Sequence, residues 1–312
     1  MTSSPTTHDL AVDAVDGMEQ VSGTHPGYRR AHARGVCFDA TFTPTGAAAE
    51  LTTAAHLQQE PVPATVRFSN SEGNPHSPDG RRSGRGIAVK FHLGHGVDTD
   101  LVAVNLPVFV VSTPEHFVKL LGALKKDPHT GQNDPALLGA YIKDNPEAIP
   151  GFTAAGAMPI PVSYGTAKYW AIHAFRWTNA AGESRYVRYR WEPAAGLQEL
   201  SPEDAGHQTP EYLTDELTQR LLDGPVRFTL HVQLGEDGDP TNDCTKAWPA
   251  ERTEIAVGHL DITATSADQE HWAGQVFDPT RVTPGIDLSD DPVLAFRTRA
   301  YAESFARRSH GG

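Results

Sequence analysis

The chain contains few cysteines and no long apolar segment. Only two of its 312 residues are cysteine, Cys37 and Cys244, which is too few for a disulfide framework and favours a reducing compartment. No run approaches the ~18 apolar residues that a membrane-spanning helix needs. Residues 1–20 have neither the basic start nor the apolar core of a secretory signal. We therefore expect a cytoplasmic protein without a membrane span.

Basic residues are also in deficit, and this limits the partners. Lys and Arg total 26 against 39 Asp and Glu, so the formal net charge is −13. Nucleic acids and anionic membranes both attract basic surfaces. We expect neither of them as a partner, whereas a small organic molecule remains open. The sequence leaves the oligomeric state open, a homo-oligomer included.

Hydrophobic periodicity predicts strands together with a few separate helices. The strands are predicted at residues 64–69, 86–91, 107–111, 184–191, 226–234 and 255–263. Helices are predicted at residues 9–21, 113–124 and 215–222 and near the carboxyl end, with Thr113 and Ser289 as N-caps of the second and last. Helices set apart from strands indicate an α+β fold. We expect residues 1–312 to form a single domain, with a partly mobile segment at residues 1–25.

Arg297 and Tyr301 lie four residues apart in the last of these helical segments. Residues at this spacing share one face of a helix. A guanidinium beside a phenol favours the ionised phenolate, an oxygen that can hold a haem iron. An ordinary amphipathic helix, with a packed tyrosine and solvated arginines, would give the same pattern. This segment alone does not separate the two interpretations.

Five further segments strengthen the first interpretation because they occur in a recognisable order. They read RRAHARG at 29–35, TVRFS at 65–69, RGIAVKF at 85–91, DLVAVNLPVF at 100–109 and FDPTRVTPGI at 277–286. With the Arg297–Tyr301 pair, this series resembles haem catalases over about residues 27–308, and most of all the short catalase-related peroxidases. The resemblance implies an antiparallel β-barrel core with surrounding helices and haem b as the cofactor. It also implies the absence of the long arm and extra carboxyl-terminal domain of larger relatives.

The resemblance assigns two residues to proton transfer. His32 matches the distal histidine, which takes a proton from one peroxide oxygen and delivers it to the other. Ser69 matches the serine that hydrogen-bonds this histidine and fixes its tautomer. Because the chain has 15 histidines, most of them structural or exposed on general grounds, the assignment of His32 depends on its place in the RRAHARG segment. The alternative for Ser69 is a plain hydroxyl at the end of a strand.

The resemblance assigns six further residues to the cofactor. A buried propionate is costly unless a cation pairs with it, and the planar guanidinium of arginine meets a carboxylate with two hydrogen bonds. The matches are Tyr301 as the axial iron ligand, Arg297 as its partner, Phe117 as a ring over the haem, and Arg29, Arg67 and Arg308 as propionate partners.

Two positions depart from larger catalases. Val104 stands where those proteins carry a distal asparagine, which leaves Asn105 aligned with their second asparagine, and Asn105 would substitute only if the loop shifts. Ala31 stands where they carry a valine that narrows the channel. A roomier and less polar distal side would admit organic molecules and bind hydrogen peroxide less well. We predict a haem-dependent peroxidase that uses hydrogen peroxide or organic hydroperoxides to oxidise organic donors, with weak catalase activity.

Two alternatives remain from the sequence. Proteins of this fold that rearrange a fatty-acid hydroperoxide keep the tyrosine ligand and the distal histidine. They would differ only in consuming no electron donor. A non-catalytic haem-binding protein is the second alternative, against which His32 argues, because binding alone requires no proton shuttle.

Overall fold

The computed structural model describes residues 9–127 and 130–309. The strands of this part of the chain are β1 Gly35–Pro44, β2 Val62–Asn70, β3 Arg85–His92, β4 Asp98–Val104, β5 Ile160–Pro161, β6 Tyr169–Thr178, β7 Ser184–Pro193, β8 Glu199–Leu200, β9 Val226–Leu234, β10 Glu254–Thr265 and β11 Ile286–Leu288. Its α-helices are α1 Leu10–Ser22, α2 Pro114–Ala123, α3 Pro135–Asp144, α4 Ile149–Gly156, α5 Pro202–Gly206, α6 Tyr212–Arg220, α7 Gln269–Gly274 and α8 Pro292–Ser309.

Eight of these strands close into an antiparallel barrel. The order is β1-β2-β3-β4-β6-β7-β9-β10, and β10 pairs with β1 to complete the circle. Strand β11 adds to β6 outside the closed ring, and β5 pairs with β8. Closure leaves no free sheet edge around the ring. The α+β fold with a β-barrel core is thereby confirmed.

The barrel interior is packed with large side chains, so it cannot be the binding cavity. Alternate residues of β9 are buried, in keeping with the two-residue period of a strand. The ring of Phe42 lies 5.2 Å from that of Phe91 and 6.2 Å from that of Trp191, measured between centroids. A Cβ added to Gly258 would lie 2.1 Å from Phe42 Cζ, so only glycine fits beneath this ring.

Helices α1, α2 and α8 pack against one another. Asp9 caps α1 by accepting a hydrogen bond from the backbone N–H of Ala11. Gly17 lets α2 approach, because a Cβ at this position would lie 2.9 Å from Leu121 Cβ. Arg307 of α8 pairs with Asp16 and Glu19 of α1 at 2.7 and 3.2 Å. These contacts join the three helices into one wall, although they come from distant parts of the chain.

Most of the predicted elements are confirmed, with their ends shifted by a few residues. Strands β2, β3, β7, β9 and β10 and helices α1 and α2 lie where the periodicity placed them, and Thr113 caps α2. The helix predicted at 215–222 begins earlier and ends at Arg220. The mobility expected at residues 1–25 stays a prediction, and residues 1–8 of that segment lie outside the described residues. None of the described helices is long and apolar enough to cross a bilayer.

Two local predictions are wrong. Residues 107–111 join no strand, since Pro107 has no N–H to donate and the N–H of Phe109 instead bonds the carbonyl of Cys244 at 2.7 Å. Ser289 does not cap α8. Asp291 does, because its Oδ1 accepts the N–H groups of Val293 and Leu294 at 2.8 and 3.3 Å.

His56 is a buried histidine in the core that has no charged partner. Its ring stacks on Phe91 at 4.6 Å between centroids, and its Nδ1 has no hydrogen-bond partner among the described residues. Burial lowers the pKa of His56 to about 3. Below about pH 6.5, His56 therefore binds a proton in the unfolded chain but not in the folded chain. Folding free energy is lost as the pH falls from 6.5 towards 3.

We expect His56→Phe to remove this acid sensitivity. The difference in unfolding free energy between variant and wild type should shift in favour of the variant by about 2 kcal/mol between pH 7 and pH 5. Urea unfolding at the two pH values measures it. The exposed His207→Phe serves as the control and should show the same difference at both pH values. An unchanged difference for His56→Phe would show that His56 does not contribute to acid unfolding.

Candidate active site

A cavity of about 300 Å³ lies outside the barrel, between strands β2, β3, β4 and β6 and helices α1, α2 and α8. Its volume lies at the lower end of the range for small-molecule and cofactor pockets. Among the residues that line it are His32, Ser69, Arg29, Arg67, Phe117, Arg297, Tyr301 and Arg308. The structure thus brings together all of the expected site residues except Asn105.

Asn105 lies apart from the cavity lining. Its Oδ1 accepts the backbone N–H of Arg85 at 2.6 Å, and its own N–H bonds the carbonyl of Arg85 at 2.9 Å. The preceding Val104 lines the cavity instead. Successive residues of an extended chain point to opposite faces, so Asn105 cannot replace an amide at position 104 while Val104 keeps its place.

His32 is held against the barrel in an unusual backbone conformation. Its φ of 53° lies in the left-handed region, which costs a non-glycine residue strain energy. Two hydrogen bonds oppose this strain: the N–H of His32 bonds the carbonyl of Ser71 at 3.2 Å, and its carbonyl accepts Arg67 Nη2 at 2.9 Å. The site therefore depends on backbone contacts as well as side chains.

The imidazole of His32 is fixed by Ser69 and by a glycine of β3. Nδ1 lies 2.9 Å from Ser69 Oγ, which leaves Nε2 free for chemistry. A Cβ on Gly86 would lie 2.9 Å from His32 Cε1, so only glycine lets the ring lie on the strand. Burial, with the added repulsion of Arg67 and Arg297, lowers the pKa of His32 to about 3. The ring is therefore neutral at pH 7.

Three arginines converge at one side of the cavity without an anionic partner. Arg29 Nη2 and Arg308 Nη2 both donate to the carbonyl of Gln275, at 2.7 and 3.2 Å. No carboxylate of the described residues pairs with either of them or with Arg67. Burial lowers the pKa of Arg29 to about 8 and that of Arg308 to about 10, and repulsion between the neighbouring arginines acts in the same direction. Buried cations are costly unless paired, so this cluster favours a bound anion.

Tyr301 reaches the cavity from α8 together with Arg297. Arg297 Nη2 donates to Tyr301 Oη at 2.5 Å, and the guanidinium carbon lies 5.4 Å from the centre of the phenol ring. The spacing of one helical turn that the sequence indicated is thus a direct contact. The phenol oxygen therefore lies at the cavity with a guanidinium as its hydrogen-bond donor.

Sequence reasoning missed a buried histidine of β6 that also lines the cavity. His173 Nδ1 lies 2.7 Å from Asp291 Oδ2, and its Nε2 has no partner among the described residues. Asp291 therefore caps α8 with one oxygen and holds the barrel with the other. Burial lowers the pKa of His173, against the opposing effect of Asp291. No spacing signal in the sequence connects two residues that are 118 positions apart.

Cys244 lies near this pair, and the three residues could in principle hold a metal ion, since their ligand atoms lie within 4.8 Å of one another. Two observations argue against it. His173 and Asp291 already hydrogen-bond each other directly. Burial raises the pKa of the Cys244 thiol, which donates weakly to the carbonyl of Val111 at 3.4 Å, whereas a metal ligand must be a thiolate.

Comparison with known proteins agrees with this geometry. The chain is 42% identical over 311 residues to a catalase-related peroxidase of Mycolicibacterium paratuberculosis, covering 97% of this chain and 95% of that protein. A catalase-related peroxidase of Synechococcus elongatus is 31% identical over 306 residues, covering 98% and 89%.

A solved structure and a family profile also relate this chain to catalases. A fungal catalase superposes with a TM-score of 0.82 at 25% identity, over 90% of this chain and 59% of that one. This chain is therefore much shorter than the solved catalase. The family profile described as Catalase matches residues 13–311. The chain belongs to the catalase family.

Proposed function

We propose that this protein is a haem-dependent peroxidase, which reduces hydrogen peroxide or an organic hydroperoxide while oxidising an organic donor. One observation carries the proposal: the His32–Ser69 pair on the barrel side and the Arg297–Tyr301 pair on α8 line the same cavity. The relatives named catalase-related peroxidases, matched over nearly their whole length, support it. In the reaction, the peroxide gains two electrons and two protons, and the donor loses two electrons.

The donor set of the cavity fits haem. The unpaired cluster of Arg29, Arg67 and Arg308 offers three guanidiniums to two propionates, which would remove the cost of burying unpaired cations. Tyr301 Oη, which accepts a hydrogen bond from Arg297, would offer a phenol oxygen to ferric iron. When bound, haem supplies the iron at which a peroxide O–O bond is cleaved.

We also propose a cytoplasmic location. The thiols of Cys37 and Cys244 are free and buried, which is in keeping with a reducing compartment.

The residues of the chain have distinct tasks in this reaction. His32, neutral and oriented by Ser69, is placed to take a proton from one peroxide oxygen and to deliver it to the other as the O–O bond breaks. Phe117, whose ring lies 6.4 Å from that of Phe109, contributes an apolar wall. Val104 makes the distal side apolar where an amide would hold a second peroxide. The apolar lining therefore favours an organic donor over disproportionation.

His32→Ala tests the central step. We expect unchanged haem content, because His32 belongs to neither the arginine cluster nor the Arg297–Tyr301 pair, and a 10²–10⁴-fold loss of peroxidase turnover, the usual contribution of general acid–base catalysis. Haem content by absorbance and the rate of dye oxidation measure both. His116→Ala, in a groove lined by residues of α2 and α3 away from the cavity, is the control. Turnover by His32→Ala within a few-fold of wild type would contradict the assignment.

Val104→Asn tests the basis of specificity. The new amide should hydrogen-bond peroxide and raise oxygen evolution relative to dye oxidation by about fivefold, the equivalent of one ordinary hydrogen bond. Val104→Leu has the same shape as Asn without the amide and should leave the ratio unchanged. The ratio of the two rates on one preparation is the measurement. Equal ratios in the two variants would mean that the polarity at position 104 does not control the reaction.

A further inference from the structure

Ser71 carries the one unengaged hydroxyl among the described residues that line the cavity. Four lining side chains have a hydroxyl: Ser69, Ser71, Tyr301 and Ser304. Ser69 bonds His32, Tyr301 accepts Arg297, and Ser304 Oγ accepts the N–H of Arg30 at 3.2 Å. Ser71 Oγ has no hydrogen-bond partner in the described chain. A half-buried hydroxyl on a residue that lines a cavity is available to a ligand.

Two glycines place this hydroxyl relative to the proton shuttle. A Cβ on Gly86 would lie 2.9 Å from the His32 ring, whereas one on Gly84 would lie 3.0 Å from Ser71 Oγ and 3.7 Å from Val104 Cγ2. The two glycines are two residues apart, which is about 7 Å along an extended chain and on the same face. Ser71 and Val104 therefore lie next to His32 and Ser69 on the same surface.

This neighbourhood makes Ser71 the available hydroxyl beside Val104. Val104 has no polar atom, and Asn105 is turned away to Arg85. The carbonyl of Ser71 bonds the N–H of His32 at 3.2 Å, so the backbone of Ser71 supports the site while its side chain takes no part. The role of the hydroxyl can therefore be separated from the structural role of the residue.

We propose that the Ser71 hydroxyl binds the peroxide substrate and sets the preference among hydroperoxides. A hydroxyl donates one hydrogen bond and accepts others, which matches the O–OH group of hydrogen peroxide or of an alkyl hydroperoxide. Hydrogen peroxide has no apolar part and depends on such bonds, whereas an alkyl hydroperoxide also gains contact with Val104 and Phe117. The inference rests on the proposed function of the same cavity.

The test compares Ser71→Ala with Ser71→Thr in the haem-loaded protein. Ser71→Ala should raise the KM for hydrogen peroxide about tenfold with little change in kcat, and the KM for cumene hydroperoxide less than threefold. It should also weaken cyanide binding to the ferric protein about fivefold, measured by optical titration without turnover. Ser71→Thr, which keeps the hydroxyl, should restore both values to within threefold of wild type. Ser304→Ala, which removes an engaged hydroxyl, controls for general effects on the cavity.

The outcomes separate this inference from the proposed function. If Ser71→Ala leaves both the KM for hydrogen peroxide and the cyanide Kd within twofold of wild type, Ser71 does not bind ligand. If Ser71→Thr behaves like Ser71→Ala, the effect is one of packing, and the inference is likewise overturned. If the wild-type protein binds haem but turns over neither peroxide, the proposed function fails. The cyanide titration then still decides whether Ser71 acts as a ligand-binding group.

Discussion

The contact between Asp291 and His173 is the constraint on which the site depends. Asp291 accepts backbone N–H groups at the start of α8 with one oxygen and His173 of the barrel with the other. One carboxylate thus fixes both where α8 begins and where it meets β6. Because Arg297 and Tyr301 follow within three turns of this point, their position relative to the barrel is set by it. The tyrosine faces a cavity whose other wall carries His32.

The charge at the cavity is opposite in sign to the net charge of the protein. The chain has a net charge of −13, yet Arg29, Arg67 and Arg308 converge on one cavity without a carboxylate from the described residues. Such a cluster destabilises the protein on its own and is stabilised by an anionic ligand, so ligand affinity and folding stability are linked. Two of these cations, Arg67 and Arg29, add to the effect of burial in keeping His32 neutral. Two of the groups that would hold the cofactor thereby also influence the charge of the histidine.

The sequence predicted the parts of the fold whose signals are local. Buried and less buried residues alternate along β9, and Thr113-Pro114 marks the start of α2. Each of these signals lies within a few residues of sequence. Strand β6 went unpredicted because seven of its ten residues are buried, five of them in succession, so no alternation is visible. The segment at 107–111 has apolar residues like a strand but lacks a pairing partner, which only the folded chain reveals. Ser289 and Asp291 are both good caps, and the choice between them depends on His173.

The site divides in the same way. Arg297 and Tyr301 are connected by helix spacing, and His32 and Arg67 by the order of segments along the chain. His173 and Ser71 have no such signal, since their importance comes from neighbours distant in sequence. Asn105 shows the opposite error: alignment brought it to the site, but the alternation of side chains along the strand turned it away.

Ligation of iron by Tyr301 is the central claim, and the resonance Raman spectrum of the purified ferric protein tests it most directly. Excitation into a phenolate-to-iron charge-transfer band should enhance the ring vibrations of a coordinated phenolate. A spectrum without these vibrations in the haem-loaded protein, and with those of a thiolate or of two imidazole ligands instead, would contradict the account.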